Sequence, residues 1–223
     1  MNQLEKKFFD AAADGDINVV CQTIAEGVDV NVKRQDGKTA LIRAAKRGRI
    51  QVTRQLLDSG ANVNDVDCNS KTALMGACKK GFVEVVEMLL DADADVNIQD
   101  INGNNALMRS CFYGFDNVAR LLIQHKADVN ACDAQGRTAL MEACSAGNVA
   151  CIDVLLNRGA DVNAQDRMGC TALMRAAYTG FDEMIEILLN NKADITLKDI
   201  EGRTAYDYYS NKSVNTELAS KLV

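Results

Sequence analysis

The stretch Asp67-Cys68-Asn69-Ser70-Lys71-Thr72-Ala73-Leu74-Met75-Gly76-Ala77-Cys78-Lys79-Lys80-Gly81 carries both ends of one short helix. Thr72 stands where an N-cap hydroxyl accepts a backbone N–H, and Gly81 where the chain needs a left-handed residue to leave the helix. After it, Val83, Val85, Val86, Met88, Leu89 and Leu90 give a second, longer helix an apolar face broad enough to be covered from two sides. Ala94-Asp95-Val96-Asn97 then closes the unit in an extended turn.

The unit repeats without change of length. Thr39-Ala40-Leu41, Thr72-Ala73-Leu74, Thr138-Ala139-Leu140, Thr171-Ala172-Leu173 and Thr204-Ala205 keep one step or its double, and Asn105-Ala106-Leu107 fills the gap. Gly48, Gly81, Gly114, Gly147 and Gly180 hold the helix exit, and Asn31, Asn64, Asn97, Asn130 and Asn163 mark the turn, where a short amide bonds nearby backbone. A chain built this way stacks copies of one supersecondary element and buries a core between neighbours, so function belongs on the outer surfaces.

These residues, of the form D-x-x-G-x-T-A-L-M-x-A-C/A-x-x-G followed by V-x-x-L-L-x-x-x-A-D-V-N, resemble the ankyrin repeat over nearly the whole chain. The implied fold is an all-α solenoid of helix-turn-helix units with extended turns. We expect one domain over 1–223: an N-terminal capping repeat at 1–33, five internal repeats over 34–198 beginning near Arg34, Asp67, Asp100, Asp133 and Asp166, and a truncated C-terminal cap at 199–223. The family's usual Thr-Pro-Leu-His is replaced here by Thr-Ala-Leu with Ile42, Met75, Met108, Met141 or Met174 next, and the chain has no proline. The methionine row reads as a packed apolar substitute for the histidine's hydrogen bonds. Asp93, Lys126 and Lys192 stand where Gly60 and Gly159 stand in other units, so those helix ends are expected to be capped less well.

Composition narrows the function. The 223 residues are 48% hydrophobic, and no apolar run approaches the roughly 20 residues of a membrane-spanning helix. The charged start Met1-Asn2-Gln3-Leu4-Glu5-Lys6-Lys7 does not read as a secretory leader, so a cytoplasmic protein with reduced thiols is expected. Of the eight cysteines, Cys78, Cys111 and Cys144 share one small-residue slot with Ala45 and Ala177, and Cys151 holds a slot of Val and Met; these read as core. Cys68, Cys132 and Cys170 fall in turns and read as accessible.

Catalysis finds little support. The one histidine, His125, falls near the end of a second helix with no evident Cys-His-third group arrangement, and there is no C-x-x-C pair, no His pair at helical spacing and no phosphate loop. We expect no enzyme, metal or cofactor.

The resemblance implies a concave groove lined by turn tips and first helices as the usual partner site. Projected onto it are Lys38, Arg43, Lys46 and Arg47, then Lys71, Lys79 and Lys80, then Arg109, Phe112 and Tyr113, then Arg137 and Glu142, then Arg167, Arg175 and Tyr178, and last Arg203. Only Asp36, Glu142 and Glu201 oppose them on that projection, although the chain as a whole has 31 acidic and 25 basic residues. A basic groove on a molecule of net charge −6 favours one docking orientation for an acidic segment. Phe112, Tyr113 and Tyr178 with Arg43, Arg109 and Arg175 are hot-spot residue types. The expected function is a monomeric, non-enzymatic scaffold that binds a partner protein or acidic peptide. Nucleic-acid binding by the same groove and regulation of a partner enzyme are the alternatives, the first opposed by the overall acidity. Exchanging Arg109 and Arg175 for glutamate is expected to abolish capture and leave the thermal transition nearly unchanged.

Overall fold

Each threonine of the repeated triplet starts a helix. In the computed structural model, which describes residues 2–210 and 215–223, the hydroxyls of Thr39, Thr72, Thr138 and Thr171 accept the N–H of Ile42, Met75, Met141 and Met174 at 3.2–3.3 Å. One such cap is worth about 1 kcal/mol. Residues 211–214 of the expected C-terminal cap, and Met1 of the N-terminal one, lie outside the described residues.

All the described regular structure is helical, apart from an isolated bridge between Cys132 and Thr138. The chain divides into two compact units, Met1–Ala106 and Leu107–Val223. In the first, α1 (Gln3–Asp14), α3 (Ala40–Lys46) and α5 (Ala73–Cys78) form one layer, and α2 (Ile17–Ala25), α4 (Ile50–Asp58) and α6 (Val83–Asp91) the other. In the second unit, α7 (Ala106–Tyr113) and α8 (Asp116–Gln124) come first. Then α9 (Ala139–Ala146) packs on α11 (Ala172–Thr179), and α11 on α13 (Ala205–Ser210). Behind them lie α10 (Val149–Leu156) and α12 (Asp182–Asn190), and α14 (Thr216–Ser220) packs on α13. Helices this short are marginal alone, so their stability comes from the layers they build.

The core is the strip the period implies. Leu41, Leu74, Leu107, Leu140 and Leu173 are buried, and so are Ile42, Met75, Met108, Met141 and Met174, which places the methionine row in the packing. Cys78, Cys111, Cys144 and Cys151 are buried and not in disulfides; Cys68 and Cys132 are exposed, and Cys170 is half-buried. Burial pushes the Cys144 thiol up to about 12 and raises that of Cys78 as well, so neither ionises near neutrality.

The turn asparagines do more than bond nearby backbone. Asn31 accepts the N–H of Asn62 at 2.8 Å and donates to the Gly60 carbonyl at 3.1 Å. Asn64 grips Asp93 and Asp95 in the same way, as Asn130 does Gly159 and Asp161, and Asn163 does Lys192 and Asp194. Each amide therefore clamps the following repeat. The three residues standing in for glycine at helix ends still take left-handed backbone, with φ of 60° at Asp93, 68° at Lys126 and 66° at Lys192. The cap bonds from their N–H groups to Leu90, Ile123 and Leu189 are made, so the expected weaker capping appears as backbone strain instead of a missing bond.

Four residues that follow an exit glycine, Arg49, Phe82, Asn148 and Phe181, reach back over the glycine of the preceding repeat. Phe82 lies so near Gly48 that a Cβ there would meet its ring at 3.0 Å, and Phe181 covers Gly147 at 3.1 Å. Where this residue is polar it also caps the preceding helix. Asn148 donates to the Cys111 and Phe112 carbonyls, both at 2.8 Å, and Arg49 donates to the Ala13 carbonyl at 2.9 Å. Gly48 and Gly147 are thus required twice, by positive φ and by close approach.

Candidate functional site

The face carrying the first helices and turn tips is organised by buried aspartates. Asp133 Oδ1 accepts the N–H of Gln135 at 2.8 Å and of Arg137 at 2.9 Å. Asp67, Asp100, Asp166 and Asp199 make the same pair of bonds in their own turns. A buried carboxylate is tolerated because these donors replace water.

Their second oxygens hold expected site residues. Arg137 reaches Asp133 at 2.6 Å and Glu142 at 3.1 Å, and Arg203 reaches Asp199 at 2.8 Å and Glu201 at 2.9 Å. Arg175 is paired with Asp166 and donates to the Ser145 hydroxyl at 3.2 Å. Asp199 also accepts from the Tyr208 hydroxyl at 2.6 Å. Burial opposes its charge, yet the bonds from Tyr208 and Arg203 prevail and hold its carboxyl at about 2. These arginines are therefore structural partners of their own turns. Arg175→Glu would set a carboxylate beside Asp166, so that exchange is not a structurally silent test.

In the repeat before Asp67 the pattern changes. The slot filled by aspartate in the later turns holds Arg34. Arg43, which occupies in its repeat the place of Arg175, has no turn carboxylate to meet. Its nearest is Asp10 at 3.6 Å, and its Nη1 is buried with no hydrogen-bond partner among the described residues. Arg47 pairs with Asp14 at 3.1 Å, and Lys38 with Asp36 at 2.6 Å. A cavity of about 390 Å³ opens here, bordered by Arg34, Asp36, Lys38, Ile42, Arg43, Lys46, Arg47 and Lys80. Lys71 is half-buried and does not border it.

The second unit has a different cavity, of about 350 Å³, bordered by Ser145, Asp166, Met168, Cys170, Met174, Arg175, Tyr178, Thr179 and Tyr208. Tyr178, 58% exposed, meets the ring of Tyr208 edge-on at 6.3 Å, and the Arg203 guanidinium stacks over Tyr208 at 4.8 Å. Phe112 and Tyr113, about 40% exposed, form an edge-on pair at 5.1 Å at the end of α7, where Arg109 is half-buried. The sequence reading missed Met168 and Tyr208 as lining residues. Met168 is half exposed in a turn tip, beside the aspartate slot, and an apolar residue at such a tip is the signal that could have marked it.

The carboxylates of Asp10, Asp14, Asp133, Asp166 and Asp199 lie among these cations, so the face is less one-sided in charge than its projection implied. His125 is exposed at the end of α8. Among the described residues no group of His, Cys, Asp or Glu could hold a metal ion, and no helix is long and apolar enough to cross a membrane.

Comparison with known proteins agrees with the repeat. A family model described as ankyrin repeats (3 copies) matches residues 8–100 and 94–166, and one described as ankyrin repeats (many copies) matches 155–208. No curated protein matches the chain. Among solved structures it is similar to the human ASB11 ankyrin repeat domain, with a TM-score of 0.85 and 25% identity over 97% of both chains.

Proposed function

Because the chain belongs to the ankyrin-repeat family, whose members generally mediate protein–protein interaction and are typically non-enzymatic, we propose that it is a scaffold binding one partner protein through its first helices and turn tips. The observation that carries this reading is the exposure of aromatic side chains at two helix exits. Phe112, Tyr113 and Tyr178 are about 40–58% exposed, although the repeat does not require an aromatic there: Lys46 and Arg47, Lys79 and Lys80, and Ser145 and Ala146 fill those positions in other units. Large rigid rings beside Arg109 and Arg175 are the types that dominate interface energetics.

In this reading the second-unit cavity takes an apolar side chain of the partner, between Tyr178, Tyr208 and Met168. Lys46, Lys71 and the first-unit arginines select an acidic segment. The chain acts as a cytoplasmic monomer, where its free thiols stay reduced. The pairing of Arg137, Arg175 and Arg203 with aspartates weakens the nucleic-acid alternative, which needs a dominating positive field.

The test is capture from lysate with Tyr178→Ser and Phe112→Ser, which remove exposed rings and spare the aspartate network. A protein retained by the wild type and lost with both substitutions supports the reading. An unchanged profile, or capture that disappears on nuclease treatment, overturns it.

A further inference from the structure

We propose that the first-unit cavity is a binding site for a phosphate monoester carried on a side chain of the partner protein. This rests on the partner-binding reading above and gives that partner a chemistry.

The argument begins with one slot. At Asp67, Asp100, Asp133, Asp166 and Asp199 the turn supplies its own anion; at Arg34 it supplies a cation. The turn still closes, since the Arg34 N–H bonds the Lys38 carbonyl at 3.0 Å and the Lys38 N–H turns to Asp36. What disappears is the carboxylate that would have faced Arg43. Its Nη1 is left buried and unbonded on the border of a cavity that an anion could enter. An unmade bond of this kind is costly, more so for a charged group, and an incoming oxygen recovers it.

Charge sets the valence of the guest. Asp10, Asp14 and Asp36 offset Arg43, Arg47 and Lys38, and Arg34 adds a second positive charge near Asp36, whose carboxyl these cations hold below the usual range, Lys38 foremost. Lys46 and Lys80 are exposed and have no carboxylate within ion-pair distance among the described residues. The three cations left over, Arg34, Lys46 and Lys80, suit a group of charge near −2 with several acceptor oxygens, which a phosphate monoester has and a carboxylate lacks. An anionic membrane would offer the same phosphate chemistry. The chain's net charge of −6 opposes approach to such a surface, whereas a single modified side chain reaches a recess without that penalty.

The probe is N-acetyl-O-phosphoserine amide, titrated into the full isotope-labelled chain and followed by amide NMR shifts. Saturable shifts are expected across residues 34–47 and at Lys80, with affinity at least about tenfold above that for N-acetylglutamate amide. Lys46→Glu with Lys80→Glu should weaken binding at least about tenfold, and Lys46→Arg with Lys80→Arg should restore it to within about twofold. Arg34→Asp supplies an independent variant, because a carboxylate in that slot should displace the probe. Non-saturating shifts, equal affinity for the glutamate analogue, or shifts confined to other residues would each overturn the site. So would tighter binding to vesicles carrying phosphoinositide at matched phosphate concentration. Failure here with protein capture lost in Tyr178→Ser leaves the partner reading intact; phosphate binding with an unchanged capture profile overturns the partner reading itself.

Discussion

Arg43 and Arg175 hold the same position of the repeat in opposite surroundings. Arg175 meets Asp166 and Ser145 beside a cavity walled by tyrosine and methionine. Arg43 faces a recess of further cations, with Asp10 at 3.6 Å its nearest carboxylate. One residue type in one register is thus tied to a turn carboxylate in one place and has none in the other, although each keeps one buried nitrogen without a hydrogen-bond partner among the described residues, Nε in Arg175 and Nη1 in Arg43. The change responsible lies nine positions upstream, where Asp166 corresponds to Arg34. In a repeat protein, function is legible as a departure from the period more than as a motif.

The comparison can be broken most severely at its acidic partner. Asp166→Ala should cost about 3 kcal/mol, because it strands the half-buried Arg175 together with the N–H groups of Met168 and Cys170. Denaturant unfolding reads it, and a loss no larger than that of exposed Asp36→Ala would show the pair to be idle. The reciprocal change, Arg34→Asp, should raise stability by about 1 kcal/mol by supplying turn acceptors and a partner for Arg43. An unaltered or lowered thermal transition would mean the two turns are not equivalent.

Acid sharpens the contrast further. Asp199 has its carboxyl depressed to about 2, below the value of about 3.9 it has when unfolded, so its stabilisation is full above pH 4 and disappears as pH falls through 2. Asp199→Asn should remove the part of the acid dependence that falls between pH 4 and pH 2, and matching slopes for variant and wild type in that interval would count against the network. The smallest effect is expected at the helix ends. Lys192→Gly should stabilise by about 0.5 kcal/mol, relief of the positive φ being partly offset by the greater freedom of glycine in the unfolded chain. A lower melting temperature would show that the Lys192 stem does more than tolerate its backbone.

Helix positions, caps and core slots were readable because they are local or periodic: Thr72 accepts the Met75 N–H three residues on, and the methionine row repeats with the unit. What escaped depends on chain returning through space. Asn31 signals a turn, but its partners at Gly60 and Asn62 lie in the next repeat. Arg175 and Asp166 are nine residues apart, a spacing that no single helix brings together, so a surface projection counted the arginine without its aspartate. Tyr208 falls within the truncated cap expected at 199–223, while its bond to Asp199 and its place against Tyr178 required the folded turn.

Arg49 and Asn148, reaching back over glycine to cap the helix before them, give the chain a direction in time as well as in sequence. Asn148 closes a helix whose late carbonyls, at Cys111 and Phe112, were made 37 and 36 residues earlier. At the ribosome, the carbonyls of Ala13, Cys111 and Phe112 therefore wait for these caps until the following repeat has been made.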